Sequence, residues 1–211
     1  MSDRGCFITF EGVDGTGKTT HIEKLAADLK SEGRKVVMLR EPGGTQIGEQ
    51  IRQILLKREH QAMADVSELF LFAAARAQLV REVIRPALER GEHVLCDRFI
   101  DSTVAYQGYG RGLGVELVQK VNDAAVGETR PDLTIWIDIE PDELAKRLGK
   151  RNTDNKSDRL DLESNAFRAR VREGYVKIQE AEPDRVQRIV SMPNIMDTYK
   201  QIITCVRREI P

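Results

Sequence analysis

The chain has 211 residues, with 33 Lys+Arg against 34 Asp+Glu and a formal net charge of −1. A chain that is 40% hydrophobic and 32% charged is not dominantly disordered, and its charge balance gives no global pull toward nucleic acid or an anionic membrane. The length suits one domain spanning residues 1–211, and no run approaches the roughly 20 apolar residues of a membrane-spanning helix.

Met1–Arg4 lacks the apolar run of a secretion signal. Cys6, Cys96 and Cys205 are far apart, and His21, His60 and His93 show no metal-ligand spacing. These features predict a cytoplasmic protein with reduced thiols.

The first predicted strand, Cys6–Phe10, is apolar and ends in Glu11-Gly12-Val13-Asp14-Gly15-Thr16-Gly17-Lys18-Thr19-Thr20. This is G-x-x-x-x-G-K-T, with Gly12, Gly17, Lys18 and Thr19 at the spacing of a phosphate-binding loop. Glycines let successive N–H groups turn inward as an anion nest, and the helix that follows points its positive end at the same phosphates. Lys18 is expected on the β/γ-phosphates of a nucleoside triphosphate, and the Thr19 hydroxyl on Mg²⁺.

In chain order, Ile22, Leu25, Ala26 and Leu29 then share one helix face, and Val36–Leu39 is the second strand. Ile47, Ile51, Ile54 and Leu55 form the next apolar stripe. A long helix is predicted over Val66–Leu88, bent or ended near Pro86. The third strand, His93–Cys96, runs into Asp97-Arg98-Phe99. A carboxylate there, at the ligand-binding edge of the sheet beside a phosphate loop, is placed to organise Mg²⁺, and Arg98 can clamp a phosphate bidentately.

Leu117–Ala125 reads as a helix and Leu133–Ile139 as the fourth strand. The polar segment Gly149–Asp161 is too charged for core and too long for a turn, which suits a lid. Its Asn155-Lys156-Ser157-Asp158 matches a guanine-reading pattern, but no buried strand precedes it and no D-x-x-G element follows the loop, so the GTPase reading is set aside. Helices at Phe167–Ile178 and Ile195–Val206 flank a fifth strand at Arg188–Val190. The alternation predicts a three-layer α/β P-loop NTPase fold, with a central five-stranded parallel sheet, helices on both faces and a short lid at about residues 149–161.

Four motifs together carry a closer likeness: the loop itself, R-E-P-G-G-T at Arg40–Thr45, F-A-A-A-R at Phe72–Arg76, and D-R-F-x-D-S-T-x-A-Y-Q-G at Asp97–Gly108. In this order and spacing the chain resembles bacterial thymidylate kinases over nearly its whole length. The resemblance implies transfer of the ATP γ-phosphoryl group to dTMP, giving dTDP. It places Phe72 against thymine with Arg76 on a base carbonyl, one turn apart on the same helix face. Phe70, off that pair, is expected in the core.

By the same resemblance Thr103 and Gln107 complete the thymine edge, and Tyr106 stands near the sugar. Arg98, Arg52, Glu41 and Pro42 hold the acceptor phosphate. Asp14 lies near the sugar 3′-hydroxyl or Mg²⁺, and Arg147 stacks on adenine; the position of the loop Ser191–Pro193 after Val190 adds it to the adenine side. No basic residue occupies positions 13–16, so the cations for the moving phosphoryl are sought in the lid, among Arg147, Arg151, Lys156 and Arg159. Phe99 stands where the family more often has Tyr or His. A homodimer is implied as well. The competing readings are a kinase for another nucleotide or nucleoside, and a nucleotide-binding module without turnover.

Overall fold

The computed structural model describes residues 4–140, 143, 144, 147, 159, 160 and 163–210. Its sheet has the order β2 (Val36–Arg40), β3 (His93–Asp97), β1 (Phe7–Glu11), β4 (Leu133–Asp138), β5 (Val186–Val190), and every pairing is parallel. β1 is therefore the central strand. Its register sets Phe10 beside Asp97 on one neighbour and Ile135 on the other. The segments leaving β1 and β3 thus emerge side by side at the carboxyl edge, where open α/β sheets bind ligands.

The strands sort their side chains by face. Ile8 and Phe10 join Ile22, Leu25 and Leu29 of α1 (Lys18–Ser31) and Ile202 and Val206 of the last helix (Ile195–Glu209) in one apolar layer. Phe7, Val94 and Cys96 face the other way, against Leu79, Val80 and Ile84. Trp136 extends that second layer under Val171 and Tyr175. β1 and β4 are buried throughout, whereas the edge strands β2 and β5 keep exposed positions.

Two helical expectations change. The stripe on α2 (Gln46–Leu56) is not wholly inward: Leu55 is buried, while Ile47 and Ile54 are exposed. The long helix is α3 (Asp65–Leu79), widened to a π-type turn at Val80–Ile84 before α4 (Arg85–Glu89). Pro86 has no N–H to give the ladder, and the wider turn lies directly before it.

A further helical segment was not foreseen. α5 (Ile100–Thr103) continues as a π-type stretch over Val104–Gly110, which carries Tyr106 and Gln107. β-branched residues and two glycines make this stretch weakly helical by propensity. Tertiary packing holds it, because α6 (Val115–Val126) and α7 (Asn165–Ala181) lie against it. The approach of α7 is close: a Cβ on Gly174 would lie 2.9 Å from the Tyr109 ring and 3.0 Å from the Ala105 backbone. The last helix becomes α8.

Among the described residues no helix is long and apolar enough to cross a membrane. Gly174→Val should force α7 off the π-type stretch and destabilise the protein by about 1–3 kcal/mol. A thermal melt would register this, and an unchanged midpoint would contradict the close packing.

Candidate active site

The loop after β1 is built by glycines in backbone regions that side chains disfavour. Gly12, Gly15 and Gly17 have φ of 131°, 88° and 88°. At Gly12 there is also no room, since a Cβ would sit 2.5 Å from the Ile137 carbonyl oxygen. Gly17 caps α1, so the helix begins at Lys18 and its positive end faces the loop.

Lys18 is buried, and its Nζ donates to the carbonyls of Gly12 and Val13 at 3.1 Å each, with the Asp14 carboxylate 3.9 Å away. Burial, followed by the charge of Arg98, pushes its ammonium below the ordinary lysine pKa. Thr16 Oγ1 braces the loop by donating to the Val13 carbonyl at 3.1 Å. Thr20, next along α1, is exposed.

The end of β3 meets this loop directly. Thr19 Oγ1 donates to Asp97 Oδ2 at 3.0 Å, and Arg98 Nη2 lies 3.1 Å from Asp14 Oδ1. Hydroxyl and carboxylate oxygens so placed form the hard donor set that Mg²⁺ takes with water and phosphate. Arg98 is the one non-glycine among the described residues with positive φ, at 69°. Its conformation is held from several sides, as strained backbone at a functional site must be. Its N–H donates to the Phe10 carbonyl at 2.9 Å, and its guanidinium donates to Ser102 Oγ at 3.1 Å and Tyr106 Oη at 3.3 Å.

Beneath Arg98 lies a residue the motif reading passed over. Glu11 is fully buried and accepts from the Phe99 N–H at 2.7 Å, Ser102 Oγ at 2.5 Å and Tyr175 Oη at 2.9 Å. Burial and then the nearby Asp101 raise its carboxyl from 4.5 to about 7, against the opposing pull of its hydrogen-bond donors and of Arg98. An acid closing an otherwise apolar central strand was the available signal. Phe99, where the family more often has a polar ring, packs edge-on against Phe7 in the core.

A cavity of about 270 Å³ opens beside this junction, and Asp14, Glu41, Pro42, Arg52, Phe72, Arg76, Asp97, Arg98, Thr103, Tyr106 and Gln107 all line it. The residues singled out for the acceptor therefore converge, although they come from six separate segments. Arg52 donates to the Pro42 carbonyl at 2.8 Å, which fixes the loop after β2. Tyr106 lies under the Arg98 guanidinium, 5.1 Å from ring centroid to Cζ.

One expectation is revised here. Phe72 is half-buried on the cavity wall, but Phe70 is 55% exposed and is not core. Arg76 is almost wholly buried and makes five hydrogen bonds: two to Glu41 Oε2, one each to Thr103 Oγ1 and Asn122 Oδ1, and one to the Phe99 carbonyl. A guanidinium has five N–H donors, so Arg76 holds Glu41 and Thr103 while lining the cavity. Burial raises the Glu41 carboxyl above the usual range, and its Oε1 has no hydrogen-bond partner.

Arg159, one of the lid candidates in the segment read as too charged for core, is buried. Its Nε donates to the Leu55 carbonyl at 2.9 Å and its Nη2 to Glu68 Oε2 at 2.5 Å. A guanidinium can be buried when a carboxylate and a carbonyl satisfy it. Arg151 and Lys156, also named for the lid, lie outside the described residues. Arg147 donates to Glu143 at 3.1 Å and to Ser191 Oγ at 3.2 Å, which joins it to the loop expected on the adenine side.

The family model described as thymidylate kinase matches residues 10–202. The chain is 48% identical over 205 residues to the thymidylate kinase of a Thermoanaerobacter species, covering 97% of this chain and 98% of that one. It is 44% identical over 211 residues to the thymidylate kinase of Geobacter sulfurreducens, covering 98% and 99%. The crystal structure of thymidylate kinase from Ehrlichia chaffeensis superposes with a TM-score of 0.77 at 36% identity, covering 97% of this chain and 99% of that one.

The buried Glu11 makes stability depend on pH in a definite direction. Between 4.5 and about 7 the folded protein keeps a proton that the unfolded chain releases, so this group's contribution is present at low pH and lost as pH rises. Thermal melts of wild type and Glu11→Gln across that window should show the wild type losing stability relative to the variant. A constant difference would contradict the assignment.

Proposed function

The chain belongs to the thymidylate kinase family and phosphorylates dTMP to dTDP with ATP, and on that premise we propose how its residues divide the work. The loop Gly12–Thr20 holds the ATP phosphates, and the cavity between β2, α3 and the π-type stretch holds dTMP. The observation carrying this division is the junction at the sheet edge, where Thr19 meets Asp97 and Arg98 meets Asp14 at 3.0 and 3.1 Å. Donor loop and acceptor cavity therefore share a wall one hydrogen bond thick.

Lys18 is within the loop and supplies charge to the donor phosphates once they replace its carbonyl partners. Thr19 and Asp97 would hold Mg²⁺, which would supply charge neutralisation to the donor phosphates. Arg98 binds the acceptor phosphate; its strained backbone aims it, and Ser102 and Tyr106 limit its freedom. Asp14 stands between the two nucleotides. Phe72 offers its ring to thymine, while Thr103 and Gln107 offer polar atoms to the base edge. Arg52, Glu41 and Pro42 shape the phosphate end.

The acceptor needs no general base, because a phosphate monoester has its second pKa near about 6 and is largely ionised at neutral pH. Catalysis then rests on alignment and on cations around the moving group. Arg147, tied to Ser191, is assigned to the adenine side, and Arg151 and Lys156 are the remaining lid cations proposed for the phosphoryl group.

The homodimer is proposed through α2, α3 and α6. These helices pack in sequence, α2 on α3 and α3 on α6, and they leave Ile47, Ile54, Val66, Phe70 and Leu117 exposed. Large exposed apolar side chains on neighbouring helices are the usual mark of a protein contact.

Lys18→Ala should lower kcat by about 10²-fold or more. Phe72→Ala should raise KM for dTMP about tenfold while leaving KM for ATP nearly unchanged, from loss of aromatic contact worth about 1.4 kcal/mol. Coupled-assay kinetics with ATP and a panel of nucleoside monophosphates checks both. Release of ADP unaffected by dTMP would refute the assignment. Phe70→Glu should shift sedimentation from dimer to monomer, and an unchanged coefficient would exclude this interface.

A further inference from the structure

Glu68 is an acid in the first turn of α3, yet its side chain is 1% exposed. It lies four residues before Phe72 and eight before Arg76, so one face of α3 carries all three. Its carboxylate gathers three groups from different parts of the chain. Gln107 Nε2 donates to Oε1 at 2.7 Å, Arg111 donates to both oxygens at 3.1 Å, and Arg159 donates to Oε2 at 2.5 Å. These donors, Arg111 foremost, outweigh burial and hold the carboxyl below the usual range.

Two of the three partners bear on the acceptor cavity. Gln107 lines it, and so does Leu160, the residue next to Arg159. The turn at Arg159–Leu160 is fastened twice to the end of α2: the Arg159 N–H donates to the Leu56 carbonyl at 3.2 Å and its Nε to the Leu55 carbonyl. Arg111 extends the same network to Glu163 at 2.5 Å and to Asp65 at 3.4 Å, and stands over the Phe167 ring. Leu56 also lines the cavity.

We propose that Glu68 is a positioning residue for the acceptor nucleotide: one buried carboxylate holds Gln107 in the cavity and fastens the Arg159–Leu160 turn against its rim. Glu68 itself touches no phosphate. Its effect falls on dTMP and not on ATP, because none of its partners belongs to the loop Gly12–Thr20. This rests on the reading of the cavity as the dTMP site.

The test is steady-state kinetics of full-length Glu68→Gln, Arg159→Met, the double variant and Phe72→Ala, with each nucleotide varied at saturation of the other. Losing the carboxylate charge behind all of these bonds should raise KM for dTMP about tenfold in E68Q, and losing the one bond from Arg159 somewhat less in R159M, with KM for ATP within about twofold of wild type. The R159M effect should largely vanish in the E68Q background, since both act through one contact.

Unchanged KM for dTMP in folded E68Q would overturn the proposal, as would equal rises for both nucleotides or additive effects of the two substitutions. Should E68Q fail to fold, R159M alone decides, because it leaves Glu68 paired with Arg111 and Gln107. A selective rise for dTMP in R159M supports the proposal, and no rise overturns it. Phe72→Ala separates the two readings: if it leaves KM for dTMP unchanged, the cavity assignment fails; if it raises KM while the others do not, only the role of Glu68 fails.

Discussion

The hydrogen bonds that converge on Glu11 connect the rest of the site. A carboxyl at the end of the central strand takes the Phe99 N–H, the Ser102 hydroxyl and the Tyr175 hydroxyl, so β1, the turn after β3 and α7 meet at one group. Burying that group without partners would cost several kcal/mol. The partners in turn fix the segment that carries Arg98. Arg98 adopts its left-handed backbone because Glu11 holds the next residue's N–H and the Phe10 carbonyl holds its own. A strained residue at a sheet edge therefore depends on an acid buried beneath it.

The same logic repeats at two other buried ions. Asp101 receives Arg185 through two bonds, at 2.7 and 2.9 Å, and Thr134 at 3.0 Å, tying α5 to β4 and the approach to β5. Arg76 spends its donors on Glu41, Thr103, Asn122 and the Phe99 carbonyl, tying α3 to the loop after β2 and to α5 and α6. Each ion is placed where a packed apolar residue could fill space but could not set direction. Such networks contribute less to net stability than to geometry. An enzyme that moves a phosphoryl group by alignment depends on that geometry.

The near-zero net charge acquires meaning through distribution. Lys18 and Arg98 lie close enough that Arg98 helps depress the Lys18 ammonium, with Asp14 and Asp97 between them. Cations are thus spaced along the sheet edge, with a carboxylate beside them that offsets their charge. A polyanion such as nucleic acid needs a continuous basic face. A nucleotide needs only local cations and turned-in amides.

Much of this was legible in the residues alone. Apolar runs marked all five strands, and G-x-x-x-x-G-K-T marked the loop, because strand burial and glycine backbone angles are local properties. Asp97 and Arg98 were legible from their position after β3, since the carboxyl edge of a parallel sheet is where ligands collect. Tertiary structure alone decided the rest. The helical stretch at 100–110 has weak propensity and exists through packing against α6 and α7. Phe70 and Phe72 differ by two positions in one helix, and only the neighbours of α3 determine which ring is exposed and which lines the cavity. Glu68 and Arg159 are 91 residues apart and individually look like surface charges. Their burial becomes stable only when the fold brings them together, because an ion leaves water only where its partner is already in place.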